Sequence, residues 1–205
     1  MIISALREVI ENEKRVAITP DTIKLFHRLG LEILIEKGAG VESGYIDQQY
    51  VNNGAKIATR IECLNSDICL TVNMPNMEDL EKIKEENVLI GILNPYENKK
   101  NFEILKNKKI TACCMELIPR ISRAQSMDVL SSQANLSGYR SVIDAAEQFG
   151  KAFPMMMTAA GRVNPAKVMV LGVGVAGLQA IATAKRLGAV VSATDVRSAT
   201  KEQVE

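Results

Sequence analysis

One stretch constrains the fold of this chain more than any other: Lys167-Val-Met-Val-Leu-Gly172-Val-Gly174-Val-Ala-Gly177-Leu-Gln-Ala-Ile-Ala. An apolar run of β type is followed by three glycines spaced two and three apart. A helical pattern then extends to about Leu187 and ends at Gly188. Next comes a second apolar run, Ala189–Thr194, with Asp195 at its carboxyl end. A strand that turns this tightly into a helix needs glycine for three separate reasons. Gly172 makes the turn, Gly174 lets a pyrophosphate approach the backbone, and Gly177 lets helix and strand pack closely. The helix start offers unpaired N–H groups and a positive dipole end, which suits phosphate.

These parts predict the first βαβ half of a Rossmann dinucleotide-binding fold. Asp195 is spaced to accept hydrogen bonds from the adenosine ribose hydroxyls. A carboxylate there repels a 2′-phosphate, so NAD(H) is the expected cofactor of this chain. Arg197 weakens the preference, because a nearby arginine can pair with that phosphate. The expected contacts on this side are Gly172, Gly174, Val175, Ala176, Gly177, Asp195, Val196 and Arg197. The plain alternative is a glycine-tight turn that binds nothing. A full dinucleotide fold uses six strands. Here the pattern reaches the second and enters the next helix at Lys201–Glu205. The expectation is a truncated Rossmann half that by itself binds NAD weakly or not at all.

Ahead of it, short apolar runs alternate with helical patterns. Thr19-Pro20-Asp21 opens a helix to about Gly30, and Leu31–Glu36 reads as a strand closed by Gly38-Ala39-Gly40. Asp67–Val72, Val88–Leu93 and Ile110–Glu116 read as strands, Met77–Glu86 and Asn98–Lys106 as helices. The alternation predicts an α/β class with an N-terminal flavodoxin-like parallel-sheet domain over residues 1–127. A long connecting helix, Asp128–Phe149, and a loop, Pro154–Ala166, lead into the Rossmann half, placing the second domain at 128–205.

Composition excludes several classes. With 47% hydrophobic and 24% charged residues, the 205-residue chain is of ordinary globular type. A net charge of +1 gives no electrostatic reason for nucleic acid or anionic membrane as a partner. No apolar run approaches a membrane span, no export signal is visible, and no residues have metal-ligand spacing. Cys63, Cys69, Cys113 and Cys114 read as reduced core thiols, and Met155–Met157 as adaptable core packing near the domain junction. His27, the single histidine, reads as a surface or boundary residue. These properties imply a cytoplasmic protein.

A second cluster runs from Pro119 to Tyr139. Asp128, Ser131, Asn135 and Gly138 fall on one helical face, with Arg120 and Gln125 in the loop before it. Such a face suits a carboxamide, a ribose and a phosphate. It equally fits a solvated helix start with Ser126 as N-cap and Asp128 near the positive dipole end.

The run Pro119–Tyr139, the loop Thr158–Lys167, the fingerprint Gly172–Gly177 and Ala193-Thr-Asp195-Val-Arg197 together resemble the NAD(H)-binding domain of proton-translocating NAD(P) transhydrogenase α subunits. The opening Glu13-Lys-Arg15-Val-Ala-Ile-Thr19-Pro20 and Glu36-Lys-Gly38-Ala-Gly40 are shared by that family and its relative, alanine dehydrogenase. The resemblance implies that Arg120, Gln125, Asp128 and Ser131 surround the nicotinamide end of NAD(H), that Ile121 and Ser122 also bind the cofactor, and that Asp195 binds the adenosine ribose. It also implies NADP(H) on a partner domain, membrane-embedded and NADP-binding partner subunits, a homodimer at full length, and a location peripheral to the inner membrane.

Chemistry separates the two relatives. An amino-acid dehydrogenase moves a proton as well as a hydride and needs an acid–base group. Alanine dehydrogenase-like sequences carry a lysine in the strand matching Leu70–Pro75 and a histidine after the strand matching Ile90–Leu93. Here Leu70-Thr71-Val72-Asn73-Met74-Pro75 contains no lysine, and Asn94 takes the histidine's place. Hydride exchange between two nicotinamides needs no protein proton donor, only two rings held in contact. No catalytic side chain is therefore assigned, and a transhydrogenase component is the leading reading. An amino-acid oxidoreductase and a non-catalytic fragment are the alternatives. Arg15, common to both relatives, reads equally as structural or as a ligand contact.

Overall fold

The N-terminal strand β1 (Ile2–Ala5) lies at the centre of a six-stranded sheet, with Ile3, Ser4 and Ala5 all buried. The structure, a computed structural model, describes residues 1–204 and divides into two units, Met1–Met127 and Asp128 onward.

In the first unit β1 is followed by α1 (Ile23–Arg28), β2 (Glu32–Glu36), α2 (Asp47–Asn52), β3 (Lys56–Ala58) and α3 (Arg60–Leu64). Then come β4 (Ile68–Asn73), α4 (Met77–Lys82), β5 (Val88–Ile92), α5 (Lys99–Asn107) and β6 (Thr111–Cys114). All five pairings are parallel, in the order β3-β2-β1-β4-β5-β6. Without the three-residue edge strand β3, this is the flavodoxin-like order expected from the alternation. The winding reverses between β1 and β4.

Successive strand residues point to opposite faces, so each face carries its own core. One packs Ile3, Ile33 and Ile35 with Ile23 and Tyr50. The other packs Cys69 and Leu89 with Leu64, Leu80 and Leu105. Burial pushes the Cys63 and Cys69 thiols up to about 12, which keeps them inert. Cys113 departs from the core-thiol expectation: it is exposed on the edge strand β6. The helix at Met77 also ends sooner than its charge pattern suggests, because Ile83 turns extended to bury its side chain.

The second unit opens with α6 (Val129–Gln148), followed by a two-stranded hairpin, β7 (Met156–Thr158) and β8 (Gly161–Val163), where the sequence suggests only a loop. Met155, Met156 and Met157 are correspondingly exposed on this ribbon instead of forming a core. Then β9 (Lys167–Leu171), α7 (Val175–Arg186) and β10 (Val190–Thr194) form a βαβ unit, its strands parallel from Lys167↔Val190 to Leu171↔Thr194. Its core is Val142, Phe153, Ala166, Ala180 and Ala184. A helical turn, α8 (Lys201–Val204), follows where the pattern enters its next helix; Glu205 lies outside the described residues. No helix among the described residues is long and apolar enough to cross a membrane.

Candidate functional site

In the second unit, the turn from β9 into α7 is shaped by its glycines. Gly172 has φ +94°, a left-handed conformation that disfavours any side chain. A Cβ on Gly177 would sit 1.9 Å from the Gly172 carbonyl oxygen, so only glycine permits this closeness. Gly174 has nothing within 4 Å of its Cβ position, which leaves its surface open to a ligand. The α7 start therefore offers its unpaired backbone N–H groups next to the open space at Gly174.

Asp195 follows β10, at the carboxyl end of the two-stranded sheet. Its Oδ2 accepts from the Val173 N–H at 2.7 Å and its Oδ1 from the Arg197 N–H at 2.8 Å. The Arg197 guanidinium also donates through Nε and Nη2, each at 3.0 Å. The arginine, then the two backbone donors, hold the carboxyl well below the usual carboxylate range, so it is charged at neutral pH. Its side chain is only 6% exposed. A cleft of about 480 Å³ opens here, lined by Val173, Ala193, Thr194, Asp195, Arg197, Ser198, Thr200 and Lys201. Arg197 thus lies against the carboxylate, while Val196 stands fully exposed. An ionised acceptor beside a phosphate-receptive helix start is chemically suited to a ribose and a pyrophosphate.

The face Asp128–Ser131–Asn135–Gly138 divides in two. Asp128, not Ser126, is the N-cap of α6. It accepts from the Ser131 N–H at 2.9 Å and the Ser131 hydroxyl at 2.6 Å. A carboxylate reaches the N3 donor with better charge complementarity than a serine two residues earlier. Asn135 and Gly138 face α7: Asn135 Nδ2 donates to Gln179 Oε1 at 3.1 Å, and buried Gly138 packs on Ala176. In the first unit, Arg120, Ile121, Ser122 and Gln125 lie exposed in the segment ending in the 3-10 turn Ser122–Met127, pinned by buried Ala124.

The first unit has a cleft of about 540 Å³ where the chain leaves the carboxyl ends of β1 and β2, lined in part by Arg7, Glu8, Glu13, Arg15, Glu36 and Arg60. Reversal points like that between β1 and β4 are where open α/β sheets take ligands. The Asn73 Nδ2 bridges two carboxylates, donating to Glu8 at 3.1 Å and Glu13 at 2.9 Å. Glu8 also accepts from the Val72 and Asn73 N–H groups. Burial raises its carboxyl from the ordinary value, and those donors oppose the rise. Glu13 takes the Arg15 guanidinium in a two-point contact at 2.8 and 2.6 Å, which holds its carboxyl down to about 2. Asn94 spends its N–H on Glu116 and adopts φ +45°. Neither asparagine can exchange a proton near neutral pH. Glu8 and its partners escape a sequence reading that leaves β1 unassigned. The acidic pair five residues apart after an N-terminal apolar run was the available signal.

Comparison with known proteins bears on these two clusters. The alanine dehydrogenase/PNT N-terminal domain model matches residues 4–137, and the C-terminal domain model of the same name matches residues 141–205. The chain belongs to the alanine dehydrogenase/PNT family. Among members, it is 54% identical to a Rhodospirillum rubrum protein that forms the first portion of NAD(P) transhydrogenase subunit alpha, across 100% of this chain and 55% of that protein. Identity to alanine dehydrogenase of Methanococcus maripaludis is 31%, across 97% of this chain and 54% of that protein. A transhydrogenase structure from Sinorhizobium meliloti matches with a TM-score of 0.97 at 50% identity, covering 100% of this chain and 61% of that one. The chain spans about half the length of the curated relatives it matches. Within the family, it is nearer the transhydrogenase branch than the alanine dehydrogenase branch.

Proposed function

We propose that this chain is the NAD(H)-binding component of a transhydrogenase, holding NAD(H) while its nicotinamide exchanges hydride with an NADP(H) on a partner domain. The observation that carries the reading is a glycine turn left open at Gly174 and fastened to the ionised carboxylate of Asp195. In this reading the backbone of Gly172, Gly174, Val175, Ala176 and Gly177 holds the pyrophosphate, and Asp195, flanked by Val196 and Arg197, holds the adenosine ribose. Arg120, Gln125, Asp128 and Ser131 take the nicotinamide end, with Ile121 and Ser122 as further cofactor contacts.

NAD(H), when bound, supplies the hydride. The protein's role is to orient the ring, which is where most of the acceleration of such a transfer originates. The Asn73 amide supports this reading, because the group that bonds Glu8 and Glu13 beside the cleft of the first unit has no proton to give near neutral pH. The name of the nearer relative, a subunit, supports partner chains. We take these to be a membrane-embedded proton-translocating component and an NADP-binding component, with this chain a homodimer on the cytoplasmic side. Arg15 beside the first cleft favours an amino-acid dehydrogenase as the second reading, but its guanidinium is engaged by Glu13.

Two assays test the proposal. In complex with the partner subunits, Gln125→Asn or Asp128→Asn should lower NADH-to-NADP⁺ hydride exchange by roughly tenfold or more, as expected for lost orientation. Unchanged exchange rejects the nicotinamide assignment. Alanine-dependent NAD⁺ reduction by the chain alone establishes the dehydrogenase instead.

A further inference from the structure

Gly138 lies on α6, outside the glycine turn, yet its backbone is in closer contact with that turn than any side chain allows. A Cβ built on it falls 2.1 Å from the carbonyl oxygen of Ala176, 2.8 Å from its carbonyl carbon and 2.9 Å from its Cα. Ala176 is the second residue of α7, between the open Gly174 and the packed Gly177. One turn further along, the Asn135 amide bonds Gln179, which in turn donates to Thr183, so the register of the two helices is set by a directional contact. Val142, one turn beyond Gly138, is buried in the same core as Ala180 and Ala184.

The turn is therefore held from two sides. Gly177 seats it against Gly172, and Gly138 seats it against α6. We infer that Gly138 is a positioning residue for the dinucleotide: it fixes where the first N–H groups of α7 point, acting through the Ala176 backbone without touching the ligand. The inference rests on the NAD(H) reading of that turn and adds a fourth glycine to it, supplied by a helix whose polar face fits ligand contact and a solvated helix start equally well in the sequence. A methyl group at 138 forces the Ala176 carbonyl to retreat from 2.1 Å to at least the 3.0 Å that Cβ contacts require. The helix start must tilt or slide with it. Asp195, fastened on the far side of the cleft by Val173 and Arg197, is not moved by that shift.

This asymmetry gives the test. The full chain and its Gly138→Ala variant are titrated with ADP and with adenosine, followed by NMR shifts, with far-UV circular dichroism on both proteins. ADP engages the helix start; adenosine engages only the Asp195 end. The expected result is a loss of roughly tenfold in ADP affinity, about one charge-assisted hydrogen bond, with adenosine affinity changed less than about twofold and the spectrum unaltered. Equal losses for both ligands, or no loss for either, reduce Gly138 to helix packing and overturn the inference. Both titrations run to millimolar ligand, where even weak binding registers; if the unmodified chain then engages neither ligand, the NAD(H) reading of the turn fails and takes this inference with it. Should Gly138→Ala not fold, Asn135→Ala, which removes the bond to Gln179 without adding bulk, must still weaken ADP more than adenosine. Parity there overturns the inference as well.

Discussion

The carboxylate of Asp195 accepts a 2.7 Å hydrogen bond from the backbone N–H of Val173. This bond fixes the end of β10 to Val173, on the strand side of the glycine turn and ahead of the α7 start, so the acceptor for a ribose is anchored independently of the helix. Arg197 first, and this bond with it, hold the carboxylate charged, which bears on cofactor choice.

Asp195→Asn retains an acceptor for Val173 but loses the charge that opposes a 2′-phosphate. NADH affinity should fall about tenfold, and the preference for NADH over NADPH should shrink. Parallel titrations with the two cofactors measure the ratio. An unchanged ratio removes Asp195 from the choice.

Gly177 and Gly174 should separate stability from binding. Gly177→Ala drives a methyl into the Gly172 carbonyl at 1.9 Å, an overpacking that should destabilise the second unit by about 1–3 kcal/mol. Gly174→Ala meets nothing within 4 Å. Its stability should stay within about 0.5 kcal/mol, while ADP binding weakens because the methyl stands where the pyrophosphate approaches. Thermal unfolding and ADP titration of both variants check the pair; similar melting shifts in the two contradict it.

Asn73→Ala removes the amide that serves Glu8 and Glu13 together. The cost should be about 1–3 kcal/mol, the penalty for leaving part-buried acceptors unserved. Urea unfolding of the first unit reads it, and an unchanged midpoint shows that water replaces the amide without loss.

Acid should loosen the same cluster. Glu13 is held down to about 2, chiefly by Arg15, against an ordinary value of 4.5. A depressed carboxylate contributes stability fully present above the unfolded value and lost as the pH falls through the folded one. The window is therefore about 4.5 down to about 2. Glu8, raised by burial, works in the opposite sense: its contribution is lost as the pH rises through its elevated value. Glu13→Gln should flatten the acid limb of a stability–pH curve of the first unit. An acid limb identical to that of the unmodified chain excludes Glu13 as its source.

The βαβ unit of the second half was legible almost to the residue, because apolar β-type runs, spaced glycines and a helical period agree there with the final packing. Strands β2, β4, β5 and β6 were legible for the same reason. The central strand β1 was not: four residues at the N-terminus carry too little pattern, and their importance comes from two parallel neighbours far along the chain. The elements α2, β3 and α3 are three to six residues long and stabilised by tertiary contacts such as Arg60 with Asp79 and Glu36. The face Asp128–Gly138 was located correctly by its periodicity, but periodicity does not say what a face meets. Half of it caps its own helix, and half packs against α7.

Hydride exchange with labelled cofactor addresses the proposed chemistry most directly. NADH deuterated at nicotinamide C4 is mixed with NADP⁺ and the chain in complex with its partner subunits, and the products are examined by mass spectrometry. Ring-to-ring transfer without a protein proton donor requires the label to reach C4 of NADPH undiluted by solvent hydrogen. Label lost to water, or delivered instead to alanine when the chain alone is given pyruvate and ammonia, contradicts it.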